Sequence, residues 1–168
     1  MKKKSLIFIE DGSFTYDNRV IRESNALAAD GWTVTVICPK YPDDPFVRDV
    51  GSRIRVYYYP KPSIDSLPGH AVEAAFTLVF GSLWTLWAFI RRGFSVFHAC
   101  NPMDILWLIA LPYKGAGKKF LFDQHDLVPE LMASRTSLTP RHPLMRALLF
   151  LEKRSYRLAD TVIATNES

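Results

Sequence analysis

The sequence predicts an α/β domain in which a mainly parallel sheet is sandwiched between helices, a three-layer α/β/α arrangement. Three observations lead there. Short runs rich in branched and aromatic residues, such as Leu6–Ile9, Trp32–Cys38 and Ile54–Tyr59, have the length of buried strands. They alternate along the chain with segments whose apolar residues recur at helical spacing. The 168 residues, 48% hydrophobic and 23% charged, supply enough apolar material for one core and exclude a disordered chain.

The elements follow in order. Leu6–Ile9 reads as the first buried strand, because Glu10 and Asp11 end the apolar run far too early for a secretion signal despite the basic Lys2–Lys4 lead-in. After the polar loop 10–16, Asp17 is placed to cap a helix carrying Val20, Ile21, Ser24, Leu27 and Ala28 on one face. Asp30 and Gly31 end it, and Trp32–Cys38 is the second strand, closed by Pro39. A proline-rich excursion follows and is expected to be mostly loop, enclosing a third strand at Ile54–Tyr59. Strands are expected again at Ser95–Ala99, Lys119–Phe122 and Thr161–Thr165, with helices at Asp104–Tyr113 and Pro143–Leu158 between them. Pro143 suits a first helical turn, and Leu144, Leu148, Leu151 and Leu158 form a stripe opposite Arg146, Lys153 and Arg157.

The stretch Ala71–Ile90 leaves three alternatives open: a helix covered by the core, an interfacial membrane helix, or a true span. Ala74–Ile90 carries no charge, yet falls just short of the usual spanning length. At helical pitch Glu73, Thr77, Gly81, Thr85, Ala88 and Arg92 share one stripe, while Phe76, Phe80, Leu83, Trp84 and Trp87 crowd the neighbouring face. Arg91 and Arg92 suit either lipid headgroups or the negative end of the helix dipole.

In a parallel sheet, ligands gather beyond the C-terminal ends of the strands, so loops 10–16, 100–104 and 123–130 are the candidate site. His98 reads as a strand histidine satisfied by packing. His125, between Asp123 and Asp126, is expected in a crevice where a carboxylate sets its tautomer. The chain has no G-x-G-x-x-G, no phosphate-loop lysine motif and no serine elbow, which disfavours nicotinamide, nucleoside triphosphate and serine-hydrolase chemistry. His98, Cys100, His125 and Asp126 have ligand chemistry but none of the usual metal spacings, so no metal is expected, and a metal-dependent hydrolase stays a minor rival. Two cysteines, Cys38 and Cys100, form no disulfide framework and make an intracellular compartment the default. A net charge of +4 favours an anionic partner. Aromatics are not interleaved with bases along a surface, so no nucleic acid is expected.

The tracts Asp17–Glu23, Val36–Pro39, Phe97–Asp104, Phe122–Leu131 and Leu158–Ser168, in this order, resemble the N-terminal half of family-4 retaining glycosyltransferases with the GT-B fold. The likeness spans nearly the whole chain and is weakest between Tyr41 and Gly93. It is strongest for the bacterial branch of exopolysaccharide and O-antigen assembly, the WbuB type. It implies a single Rossmann-like, acceptor-side domain over residues 1–168, with the donor-binding C-terminal domain outside this chain and the fragment inactive alone. It implies transfer of a hexosyl or N-acetylamino sugar from a UDP- or GDP-sugar held mainly by that other domain, with no obligatory cofactor.

By position, the resemblance gives His125 the role of the cleft histidine near the donor sugar. Asp126 and Glu130 would orient its loop, and Asn101 and Asp104 would lie on the acceptor side. Arg19 matches a basic residue that meets a phosphate, although a salt bridge with Glu23 at i+4 is an equal reading. Where family members have a glycine pair in the first loop, this sequence has Gly12-Ser13-Phe14. A lipid-linked or saccharide acceptor implies a cytoplasmic protein in peripheral contact with the anionic inner face of the plasma membrane. Phe80, Trp84, Trp87, Arg91 and Arg92 are the docking candidates, joined by the Arg146, Lys153 and Arg157 face. The rival to an enzyme is a stand-alone α/β module that binds lipid or a partner.

Overall fold

A computed structural model describes residues 3–62, 67–102, 104–136 and 139–164. Strand β1 (Lys4–Ile9) is central. Leu6 and Phe8 point into one core layer and Ile7 and Ile9 into the other. A strand covered on both faces has no solvent side to encode, so it reads as an unbroken apolar run.

Helix α1 (Asn18–Ala29) starts where the sequence places it: the Asp17 carboxylate accepts the Arg19 and Val20 N–H groups. Gly31, at φ +83°, turns the chain into β2 (Thr33–Pro39), parallel to β1. Within the proline-rich excursion the structure adds a strand that the sequence reading treats as loop. It is β3 (Val47–Val50), antiparallel to β4 (Ile54–Tyr59) at the sheet edge. β3 is almost wholly exposed, so it has no apolar pattern to announce it. Backbone pairing holds it, with a two-point contact between Arg55 and Asp49 at 2.6 and 2.7 Å.

Helix α2 (Leu67–Arg91) lies along the sheet. Its small and polar stripe faces inward: Thr77, Thr85 and Ala88 are buried, and a Cβ added at Gly81 would sit 2.5 Å from the Phe8 ring. By length and composition the segment Gly69–Arg91 is long and apolar enough to cross a membrane, and its packing on the sheet covers one side of it.

The rest alternates: β5 (Val96–Cys100), α3 (Trp107–Gly115), β6 (Lys119–Gln124), α4 (Val128–Arg135), α5 (Pro143–Leu158) and β7 (Thr161–Ala164). Thr165 lies outside the described residues. Helix α3 begins after Asp104, because residues 104–106 are spent on a turn. Helix α4 arises within the expected 123–130 loop and beyond it, with Pro129 in its first turn.

Sheet order is β3-β4-β2-β1-β5-β6-β7, parallel except at β3. Helix α1 covers one face, and α2, α3 and α5 cover the other. On the aromatic side, Phe8, Phe97, Phe120 and Phe122 are fully buried, each contributing roughly 1.5–3 kcal/mol.

Candidate functional site

The site grows from register. β5 and β6 pair so that Cys100 lies opposite Asp123. Phe97 and Ala99 on β5, like Phe120 and Phe122 on β6, enter the aromatic core, so His98, Cys100 and Asp123 point to the α1 side. Asp123 therefore lies fully buried one residue before the end of β6, on the face where α1 begins.

A buried carboxylate needs partners, and Asp123 has them from three elements. The Arg19 guanidinium, in the first turn of α1, donates to Oδ1. His98 Nε2 lies 3.4 Å and His125 Nε2 lies 3.0 Å from Oδ2. Burial would raise the Asp123 carboxyl, but hydrogen bonds from His125 and His98 and their charge outweigh it and hold it well below the usual carboxylate range. Arg19 also reaches Glu23 at 3.4 Å. The expected i,i+4 salt bridge with Glu23 is thus present, and Arg19 adds a second carboxylate to it, tying Glu23 and Asp123 together at the mouth of the site, about a third exposed.

An ionised carboxylate can only accept, so both imidazoles present N–H to Asp123. For His125 this commits Nε2 and leaves Nδ1 as the functional nitrogen, an acceptor when the ring is neutral and a donor when it is charged. Its side chain is 19% exposed, enough to be reached from solvent. Asn101 sets the loop that carries it. Asn101 Oδ1 accepts the His125 and Asp126 N–H groups at 2.6 and 3.2 Å, and Nδ2 donates to the Asp126 carbonyl at 2.8 Å and to Asp104 at 3.2 Å.

Asn101 and Asp104 are 2% and 5% exposed, so both polar groups act on the protein rather than on the crevice. Burial, aided by Glu152 and Glu130 and opposed by the Asn101 hydrogen bond, pushes the Asp104 carboxyl up to about 7. Asp126 and Glu130 are exposed, Glu130 in the first turn of α4.

His98, Cys100 and Asp123 offer ligand atoms within 4.8 Å of one another, a set that shares two residues with the metal alternative. Its chemistry favours a guanidinium over a divalent ion. Asp123 already serves Arg19 and two imidazoles, and burial with the nearby carboxylates keeps the Cys100 thiol protonated.

A second feature at the same sheet edge is a cleft of about 560 Å³, across β1 from His125. Asp11, Lys40, Tyr41, Lys61, Glu73 and Phe76 line it. Lys61, in this lining, is paired with the buried Glu10 at 2.7 Å. The first loop beside it is braced by Asp44, which accepts Ser13 and Thr15 hydroxyls at 2.6 and 2.8 Å.

Sequence reasoning overlooks Asp123 as the centre and Glu10, Asp44 and Lys61 altogether. A signal for the first exists: Asp123 is in phase with Leu121, not with the aromatic Phe120 and Phe122, so the strand pattern already sends a charge to the α1 face.

A family model for the glycosyl transferase 4-like domain matches residues 17–168. The chain belongs to that family. No curated protein matches the sequence. Among solved structures, a sucrose-phosphate synthase from Thermosynechococcus elongatus superposes with a TM-score of 0.65 at 18% identity, covering 96% of this chain and 42% of its own. LpCGTa in complex with UDP does so with a TM-score of 0.61 at 13% identity, covering 98% and 46%. This chain thus spans less than half of either neighbour. The shared architecture is the α/β, Rossmann-like half of the GT-B fold.

Proposed function

We propose that this chain is the acceptor-side half of a retaining, nucleotide-sugar-dependent glycosyltransferase of bacterial cell-surface polysaccharide synthesis, of the WbuB type. A UDP- or GDP-sugar, carrying a hexosyl or N-acetylamino group, would be held by a C-terminal domain outside these residues. The acceptor would be a saccharide or a sugar on a lipid carrier at the cytoplasmic face of the membrane. No cofactor is required by this scheme.

The observation that supports the reading is the His125 ring, locked at the C-terminal sheet edge by Asp123 from one side and by the Asn101-held peptide from the other. Glycosyl transfer separates a sugar with oxocarbenium character from a diphosphate, so preorganised donors and charges contribute most of the acceleration. His125 Nδ1 supplies one such group to a sugar hydroxyl. The Asp123 carboxylate fixes the orientation and tautomer of the ring. Arg19 adds positive charge beside it, and Asn101 and Asp104 are positioning residues for the loop.

Turnover of the full-length protein against a panel of UDP- and GDP-sugars tests this. His125→Ala should lower kcat/KM by about 10²-fold or more, and undiminished turnover removes the assignment. Residues 1–168 alone should transfer no sugar.

A further inference from the structure

Helix α2 turns its inner stripe to the sheet and leaves a second stripe in solvent. Val79, Leu83, Leu86, Trp87 and Ile90 are all exposed, Leu83 at 59% and Ile90 at 70%. They succeed one another at spacings that keep them on one side of a helix. Phe80 and Trp84, expected on this face, instead pack against the core, with Trp84 stacked on Tyr57 at 5.3 Å. On the same side of the sheet, α3 exposes Leu108 and Leu111. A soluble surface rarely leaves so many large apolar side chains together without a partner.

The charges that flank this face are mostly basic. From residue 74 to residue 122 the sequence contains a single acidic residue, Asp104, and it is buried. The cations are Arg91, Arg92, Lys114, Lys118 and Lys119. Lys114 and Lys119 are paired with Asp160. Arg91 instead lies 4.4 Å over the Trp87 ring and Lys118 lies 5.6 Å over the Phe89 ring. Such pairs suit the boundary of a bilayer, where an aromatic body meets hydrocarbon and a cation meets a headgroup phosphate.

We propose that the outer face of α2, flanked by α3, docks on an anionic lipid bilayer, with Leu83, Leu86, Trp87 and Ile90 inserted and Arg91 and Lys118 at the headgroups. The proposal rests on the reading of a lipid-linked acceptor and assigns its membrane contact to particular residues. Charge complementarity selects this occupant: an apolar stripe flanked by Arg91 and Lys118 matches acidic lipid, whereas two copies face to face would bring these like charges together. The placement also has a consequence for the acceptor. Glu73 and Phe76, on the N-terminal half of α2, line the 560 Å³ cleft, so a helix lying in the interface holds that cleft next to the headgroups. A carrier-bound sugar then enters without leaving the membrane surface.

Co-sedimentation of the full-length protein with vesicles of phosphatidylcholine containing phosphatidylglycerol tests this. The wild type should bind, more weakly as salt rises. The Leu83→Gln, Trp87→Gln, Ile90→Gln variant should lose at least ten-fold in partitioning with an unchanged melting temperature, because these side chains support no core. Arg91→Gln with Lys118→Gln should reduce binding to anionic vesicles while leaving the weak binding to neutral ones. Equal binding of the triple variant and wild type overturns the proposal. So does a wild-type dimer that the triple variant converts to monomer without any vesicle binding, which would make a second copy the occupant. Vesicle binding that fails while soluble saccharides are still glycosylated rejects the docking face and leaves the glycosyltransferase reading standing.

Discussion

The sheet edge at Asp123 and the outer side of α2 break the usual distribution of polarity in opposite senses. At Asp123, charge lies where hydrocarbon is expected, fully buried near the end of a strand, with Arg19, His98 and His125 gathered on it. On α2, hydrocarbon lies in water along several turns, with the polar stripe turned inward. Each arrangement costs folding free energy, since buried ions lose hydration and exposed leucines gain nothing. The difference teaches where each kind of function sits: chemistry in the buried network, docking on the uncovered face.

The comparison can be broken first at its polar end. Asp123→Ala should cost about 3–5 kcal/mol, because it leaves Arg19 and two imidazoles beside a buried hole without their counter-charge. Asp123→Asn, which still accepts a hydrogen bond, should cost less, and urea unfolding would measure both. Values near wild type would mean that the network contributes little and that its residues are independent.

The apolar end is sharpened by two positions close together in α2. Gly81→Val should destabilise by about 1–3 kcal/mol through its clash with Phe8. Leu83→Ser should stay within about 0.5 kcal/mol. Equal costs would contradict the inside and outside assignment of the helix.

At the loop that joins the two themes, Asn101→Ala strips the His125 and Asp126 N–H groups of their acceptor and should cost about 1–3 kcal/mol. Hydrogen exchange should then quicken at those two amides before it does in β6. A further expectation is a slope with pH. The Asp104 carboxyl is raised to about 7 from an ordinary value of 3.8, so the folded state binds its proton more tightly than the unfolded chain. That contribution is complete below pH 3.8 and is lost as pH rises to about 7. Asp104→Asn should flatten the melting temperature over this window, and an unchanged slope would assign it to another group.

Much of the fold was legible because strand and helix periodicities are local. The Asp17 cap, the Gly31 turn and the inward stripe of α2 all followed from short-range pattern. β3 and α4 were not legible. One is an exposed edge strand held by pairing with β4, and the other a short helix whose residues look like loop until Pro129 and Glu130 start it. In the site, His125 stood out by its acidic neighbours, yet the part played by Asn101 depends on a contact across 24 residues of chain.

By itself the sequence determined the α/β alternation, the family resemblance and the presence of one long apolar helix, since these rest on residue type and spacing along the chain. Only the tertiary structure decided which carboxylate gathers the site, that Phe80 and Trp84 turn inward, and that Leu83, Leu86, Trp87 and Ile90 stay in solvent. The physical reason is that periodicity specifies which residues share a face, whereas the register of neighbouring strands and the close approach of α2 at Gly81 specify what each face meets.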